Sequence, residues 1–354
     1  MSRLKIAPQA VFAELVKQQK ALASAIGPLR QAKDVAPGAT NRQCVFSRRE
    51  AKLYRYQGAG ERRSTPLLIV YALVNRPNVA DLSSERTLIG ALCDSGFDVF
   101  LIEWTDPGPT DSNWSLERYI NGAIHACVNF LCDTQRVRAI DMLGICQGGT
   151  FALCYSALYP DRIKRLIPTV TPVDFQTPND ALSALVRPVD IDSVVDAYGN
   201  VPPDFMNALF LSLKPFSLMQ KKYFDLLESI DDQERVDTFV KMEKWIFDSP
   251  PLAGKACGEF ARVFYQNNAL VNQALELDGR TVDLRNLKAP ILNIFADNDH
   301  LVPPESSAAL RLLTGSQDYT EQRIAGGHIG IYVSLKRERS VPKIVTQWID
   351  ERGG

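Results

Sequence analysis

One cysteine stands where a sharp turn would present it to a substrate. Gly144-Ile145-Cys146-Gln147-Gly148-Gly149 follows the strand-like run Ala139-Ile140-Asp141-Met142-Leu143 and opens the helix-like stretch Thr150-Phe151-Ala152-Leu153-Cys154-Tyr155. This is the strand-turn-helix setting of a G-x-S-x-G nucleophile elbow, with sulfur in place of the serine hydroxyl. Side chains at Gly144 and Gly148 would collide as the chain reverses. A helix beginning beyond Cys146 points its N-terminal dipole at the sulfur and favours thiolate, while the Gln147 N–H can serve as one oxyanion donor.

Such a nucleophile needs a base and an acid, and the chain has only three histidines. His125 falls in a helix-like stretch ahead of the nucleophile, beside polar positions, where packing or surface exposure is the ordinary role. His328 lies in Ile324-Ala325-Gly326-Gly327-His328-Ile329-Gly330, a Gly-rich loop before the C-terminal helix, where the chain order nucleophile, acid, histidine puts the base. Two carboxylates, Asp297 and Asp299, follow the strand-like run Ile291-Leu292-Asn293-Ile294-Phe295. Asp299 leads into the x-x-Val-Pro segment common after the acid in this arrangement, and it is the choice. Its role would be to accept the imidazole N–H, fix the tautomer and stabilise imidazolium. The remaining histidine, His300, either lines the pocket or satisfies a loop hydrogen bond. A second oxyanion donor is expected from Leu73-Val74-Asn75-Arg76-Pro77, as the backbone N–H of Val74 or Asn75. Arg76 in that loop reads as a surface or ion-pair residue.

The elements that must position these groups follow from the apolar patterning. Residues 8–29 carry apolar positions at helical spacing, so 1–40 reads as an N-terminal helical arm. Cys44-Val45-Phe46 and Lys52-Leu53-Tyr54-Arg55-Tyr56 read as short strands, and Pro66-Leu67-Leu68-Ile69-Val70-Tyr71-Ala72 as a strand buried on both faces. A helix over 84–95, a strand at 98–102, a helix over 116–132 and strands at 139–143, 166–170 and 291–295 continue the alternation. This pattern predicts a mostly parallel sheet flanked by helices. With the elbow, it is the α/β-hydrolase fold, its core formed by 41–173 and 286–354. Residues 174–285, with helix-like segments broken at Pro178, Pro202-Pro203, Pro215 and Pro250-Pro251, read as an inserted, mainly helical cap.

Forty basic residues against 41 acidic ones leave a net charge of −1, which supplies no footprint for nucleic acid or an anionic membrane. No apolar run approaches the ~18 residues of a transmembrane span, and the N-terminus lacks a signal-peptide layout, so a cytoplasmic protein is expected. Seven cysteines form an odd set without a C-x-x-C pair or zinc-like spacing, implying free, mostly buried thiols and no metal. Cys146 is the exception. Sulfur at this position suits a thioester donor, because exchange of one thioester for another keeps the acyl group activated for a hydroxyl acceptor; hydrolysis remains open to the same machinery.

The box Leu143-Gly144-Ile145-Cys146-Gln147-Gly148-Gly149 resembles that of the polyhydroxyalkanoate synthases. So do Tyr71-Ala72-Leu73-Val74-Asn75-Arg76-Pro77, Thr171-Pro172-Val173-Asp174-Phe175, Glu243-Lys244-Trp245-Ile246-Phe247-Asp248, Phe264-Tyr265-Gln266-Asn267-Asn268, Asp299-His300-Leu301-Val302-Pro303-Pro304 and Gly326-Gly327-His328-Ile329-Gly330. The likeness runs from about residue 44 to the C-terminus. It implies an acyltransferase that polymerises (R)-3-hydroxyacyl-CoA, chiefly 3-hydroxybutyryl-CoA, with a growing polyester on Cys146 and CoA as substrate and product rather than cofactor. It also implies that Asp299 supports His328 or helps activate the incoming 3-hydroxyl, and that His300 lies near the reacting groups. The short N-terminal arm is similar to that of the two-subunit synthases, which implies a non-catalytic second subunit, a homodimer and work at the surface of a cytoplasmic polyester granule. The competing expectations are a cysteine-triad hydrolase or thioesterase of the dienelactone-hydrolase kind, and a granule-binding protein without catalysis.

Overall fold

The computed structural model describes residues 38–58, 62–213, 226, 232–333 and 340–353. The expected N-terminal arm therefore lies almost entirely outside the described residues. Eight strands form one sheet: β1 (Arg42–Ser47), β2 (Ala51–Tyr56), β3 (Pro66–Val70), β4 (Asp98–Trp104), β5 (Ile140–Ile145), β6 (Ile163–Thr169), β7 (Ile291–Ala296) and β8 (Tyr319–Ile324). Their spatial order is β1-β2-β4-β3-β5-β6-β7-β8. β1, β2 and β4 pair antiparallel, and every later neighbour is parallel.

Burial follows from this order. All residues of β3, β5 and β7 are buried, which explains their continuous apolar runs. On the edge strand β8 only Ile324 is buried, and Glu321 and Arg323 are exposed with Gln322 between them. Charge on an edge discourages pairing with another chain, and it also removes the apolar signal by which the sequence would reveal a strand.

Helices cover both faces. α1 (Leu88–Asp94) begins four residues later than the pattern predicts, because Asp81–Ser83 and Arg86–Thr87 pair as a small ribbon. Thr87 Oγ1 then caps the helix by accepting the Gly90 N–H at 2.7 Å. α2 (His125–Gln135) continues a π-helical turn, Arg118–Ile124. α3 (Gln147–Leu158) is buried from Gln147 to Ala157, so it is packed on all sides. α4 (Val341–Asp350) buries Val341, Val345, Trp348 and Ile349, a spacing of one helical face.

The chain divides into two compact units. The larger comprises the described residues of 37–206 with 249–354 and holds the whole sheet; the smaller includes the described residues of 207–248. In the smaller unit the helix Gln233–Phe247 is capped by Asp232, whose Oδ1 accepts the Arg235 N–H at 3.2 Å. Leu226, Val236 and Val240 form its apolar centre.

β5 and β6, the strands that lead into the Cys146 turn and its neighbour, are also joined by charge. Arg165 Nη1 donates to Asp141 Oδ2 at 3.0 Å, with both residues buried, while Asp141 Oδ1 has no partner among the described residues. Burial pushes the Asp141 carboxyl up to about 6, against the opposing pull of Arg165 and Lys164. A raised carboxyl pKa means that stability is fully present below the unfolded value, roughly 3.9, and is lost as pH rises through about 6. Arg165→Met should therefore lower stability by about 3–5 kcal/mol at neutral pH, and adding Asp141→Leu should recover most of it. Denaturant titration of both variants at pH 5 and 8 checks this; equal stability of the single variant and the parent would contradict it.

Candidate active site

Cys146 sits between β5 and α3 with φ 54° and ψ −125°, a backbone conformation that costs about 1–3 kcal/mol for a residue other than glycine. The turn leaves no room around it. A Cβ added to Gly144 would lie 2.4 Å from Gly149 Cα, and one added to Gly148 would lie 2.3 Å from the Val70 carbonyl oxygen. The Cys146 N–H donates to the Thr169 carbonyl at 2.9 Å, and the Cys146 carbonyl accepts the Gly149 N–H at 2.8 Å. As the residue before the first helical position, Cys146 faces the unpaired N–H groups that begin α3, Gln147 included.

His328 and Asp299 meet on loops at the ends of β8 and β7. His328 Nδ1 and Asp299 Oδ2 are 2.6 Å apart, and the histidine is 5% exposed and the aspartate 7%. The other oxygen, Asp299 Oδ1, accepts the N–H groups of Leu301 at 2.9 Å and Val302 at 3.0 Å. These bonds define the loop that follows Asp299, and they orient its carboxylate toward the imidazole. Asp297 is exposed and takes no part; its N–H donates to the Ile324 carbonyl. His300 is half-buried beside Asp299 in the chain.

The electrostatics favour an ion pair. Burial alone pulls the His328 pKa down, but the charge of Cys146, then the charge and hydrogen bond of Asp299, and a hydrogen bond to Cys146 outweigh it and hold the imidazole at about 10. The charged imidazole thus stands between the Cys146 sulfur and the Asp299 carboxylate. Thiols elsewhere in the chain are in a different state. Burial pushes Cys127 and Cys93 up to about 12 and Cys257 up to about 11, which leaves them inert.

Of the expected oxyanion donors, Gln147 stands at the first position of α3, and Val74 and Asn75 are half-buried in the loop after β3. The sequence gives no hint that the Gln147 side chain also acts: its Oε1 accepts the Leu73 N–H at 2.9 Å, a buried bond that ties this loop to the elbow. Asn75 has φ 60°, and its Oδ1 accepts from Ser249 Oγ at 2.5 Å. Arg76 makes a bidentate pair with Asp106 at 2.8 Å.

His125 is a packing residue. It contacts Tyr155 Oη at 3.2 Å and Asn129 at 3.0 Å and stacks on Tyr159. Asn268 is engaged at both ends, its Oδ1 accepting the Phe175 N–H and its Nδ2 donating to Asp174. Tyr265 packs edge-on against Phe175, with ring centroids 5.0 Å apart. Trp245 belongs to the smaller unit. Among the described residues no cluster of His, Cys, Asp and Glu could hold a metal ion, and no helix is long and apolar enough to cross a membrane.

Comparison with known proteins adds to this geometry. A family profile described as alpha/beta hydrolase fold matches residues 65–335. The poly(3-hydroxyalkanoate) polymerase subunit PhaC of Allochromatium vinosum is 46% identical over 355 residues, covering 99% of this chain and 100% of that one. Its counterpart from Synechocystis is 44% identical, covering 90% and 86%. A thermophilic esterase from Thermogutta terrifontis has a TM-score of 0.52 at 18% identity, covering 88% of this chain and 98% of that one, a likeness of fold alone.

The ion pair is testable without substrate. Since the His328 pKa is raised to about 10, its stabilising protonation is complete below the unfolded value near 6.5 and lost as pH rises through about 10. By NMR the His328 ring should not titrate between about pH 6 and 8.5, and Cys146→Ala or Asp299→Asn should bring its midpoint down. A midpoint near 6.5 in the parent protein would contradict the ion pair.

Proposed function

The chain belongs to the poly(3-hydroxyalkanoate) polymerase family within the alpha/beta hydrolase fold, and from that membership we propose that it polymerises (R)-3-hydroxyacyl-CoA through a covalent thioester on Cys146. The observation that carries this is a cysteine, rather than a serine, on a strained turn in a chain with full-length kinship to polymerases. Thioester exchange keeps the acyl group activated, whereas an ester on serine would release that activation before an acceptor arrives.

In the proposed cycle the Cys146 thiolate attacks the thioester carbonyl of the donor. The oxyanion is met by the Gln147 N–H and by that of Val74 or Asn75. The tetrahedral intermediate collapses, the carbon–sulfur bond to CoA breaks, and His328 passes its proton to the departing thiolate. His328, now neutral, takes the proton of the next hydroxyl as that oxygen attacks the acyl thioester; an ester bond forms and the Cys146 thiolate is regenerated. Asp299 holds His328 in the required tautomer, with the 2.6 Å contact in support, or assists the hydroxyl directly. His300 is assigned to the wall of the pocket. No cofactor is required, CoA being part of the substrate.

Resemblance to the two-subunit type supports 3-hydroxybutyryl-CoA as the main donor, a non-catalytic second subunit, a homodimer, residence at the cytoplasmic granule surface, and an access-controlling role for the insertion 174–285. The hydrolase alternative shares fold and triad, but kinship to polymerases over the full chain weighs against it.

Incubated with (R)-3-hydroxybutyryl-CoA, with and without a second subunit, the chain should release thiol in step with insoluble polyester. Cys146→Ala should abolish both, and Asp299→Asn should slow them by up to about 10⁴-fold. Thiol release with free acid and no polymer would establish the hydrolase instead, and substantial turnover by Cys146→Ala would refute the covalent route.

A further inference from the structure

Two hydroxyls near Cys146 are buried without a hydrogen-bond partner among the described residues. They are Tyr332 Oη, on a residue 6% exposed, and Thr169 Oγ1, on a residue fully buried. Buried polar groups are nearly always paired, and an exception needs a reason. Both lie at the site rather than elsewhere in the core. Thr169 ends β6 opposite Ile145, and its carbonyl accepts the Cys146 N–H at 2.9 Å. Val170, next in the chain, has φ 44°, a strained value for a β-branched residue, and its N–H is held by the Ile294 carbonyl at 2.8 Å. The backbone is thus forced at the point where it presents Thr169.

Tyr332 follows His328 by four residues, on the short helix Gly330–Val333. Burial, and then the charges of Cys146, Tyr71 and Asp299, hold its phenol well above the usual range, so it is a neutral donor. Thr169 Oγ1 stands near enough to pull it back slightly, yet the two make no bond of normal geometry.

Resting on the polymerase reading above, we propose that Tyr332 Oη and Thr169 Oγ1 form a polar subsite for the 3-hydroxyl of the acyl group at Cys146. A hydroxyl donates and accepts, so it can satisfy one of these groups as acceptor and the other as donor. A plain alkyl chain would leave both unpaired. On the polymerase reading the thioester carbonyl is met by backbone N–H groups, which leaves the side-chain pair for the substituent. Sites built to bond a hydroxyl discriminate strongly against analogues that lack it.

The test is the single-turnover acylation of Cys146 in the full chain, quenched and read by mass spectrometry, with (R)-3-hydroxybutyryl-CoA and with butyryl-CoA as donors. The parent should load the hydroxylated donor faster. Tyr332→Phe, nearly isosteric, should slow that donor by about 10-fold or more while leaving butyryl loading within about 2-fold. Thr169→Val, with folding checked by its melting temperature, should shift the ratio the same way. Equal slowing of both donors, or an unchanged ratio in both variants, would overturn the subsite. A parent chain that accepts neither acyl group would contradict the polymerase reading itself, and the subsite with it.

Discussion

The backbone at Cys146 is held at φ 54° and ψ −125°, and neighbouring elements converge to keep it there. Strain of this kind persists only where the surroundings over-determine it. β5 enters the turn fully buried between β3 and β6, and α3 leaves it buried on all sides. The Thr169 carbonyl ties Cys146 to β6, the Ile294 carbonyl ties the strained Val170 to β7, and Gln147 ties the turn to the loop after β3. Three parallel strand ends and one loop are thereby registered on a single sulfur.

That registration gives the electrostatics their effect. A buried imidazole alone would be neutral, and burial does pull His328 in that direction. Cys146 and then Asp299 reverse the balance, and two backbone N–H groups and the imidazole between them fix both oxygens of Asp299. The charge on His328 is thus supported from one side by a pre-oriented carboxylate and from the other by the Cys146 sulfur. Cys93, Cys127, Cys132 and Cys154 lack such an arrangement, and burial pushes their thiols up.

Much of this was legible in the residues. The turn at Cys146 is marked by glycines that have no room for a side chain, His328 by the scarcity of histidine, and Asp299 by the loop that supplies its two N–H donors; the last two are in contact. The parallel core strands show as unbroken apolar runs. The rest was hidden for physical reasons. β8 carries the charges that protect an edge and so resembles a loop, and α1 yields its first turn to a ribbon that local periodicity does not reveal. The Gln147 latch and the Tyr332–Thr169 pair depend on residues far apart in the chain, and nothing in their local spacing marks them.

The central claim is that Cys146 carries the growing chain. Peptide mapping of protein quenched during turnover of (R)-3-hydroxybutyryl-CoA tests it most directly. The account predicts a ladder of thioester adducts on the Cys146 peptide, spaced by one hydroxyacyl unit and removed by hydroxylamine. An unmodified Cys146 peptide during active polymer formation, or adducts on another residue, would contradict it.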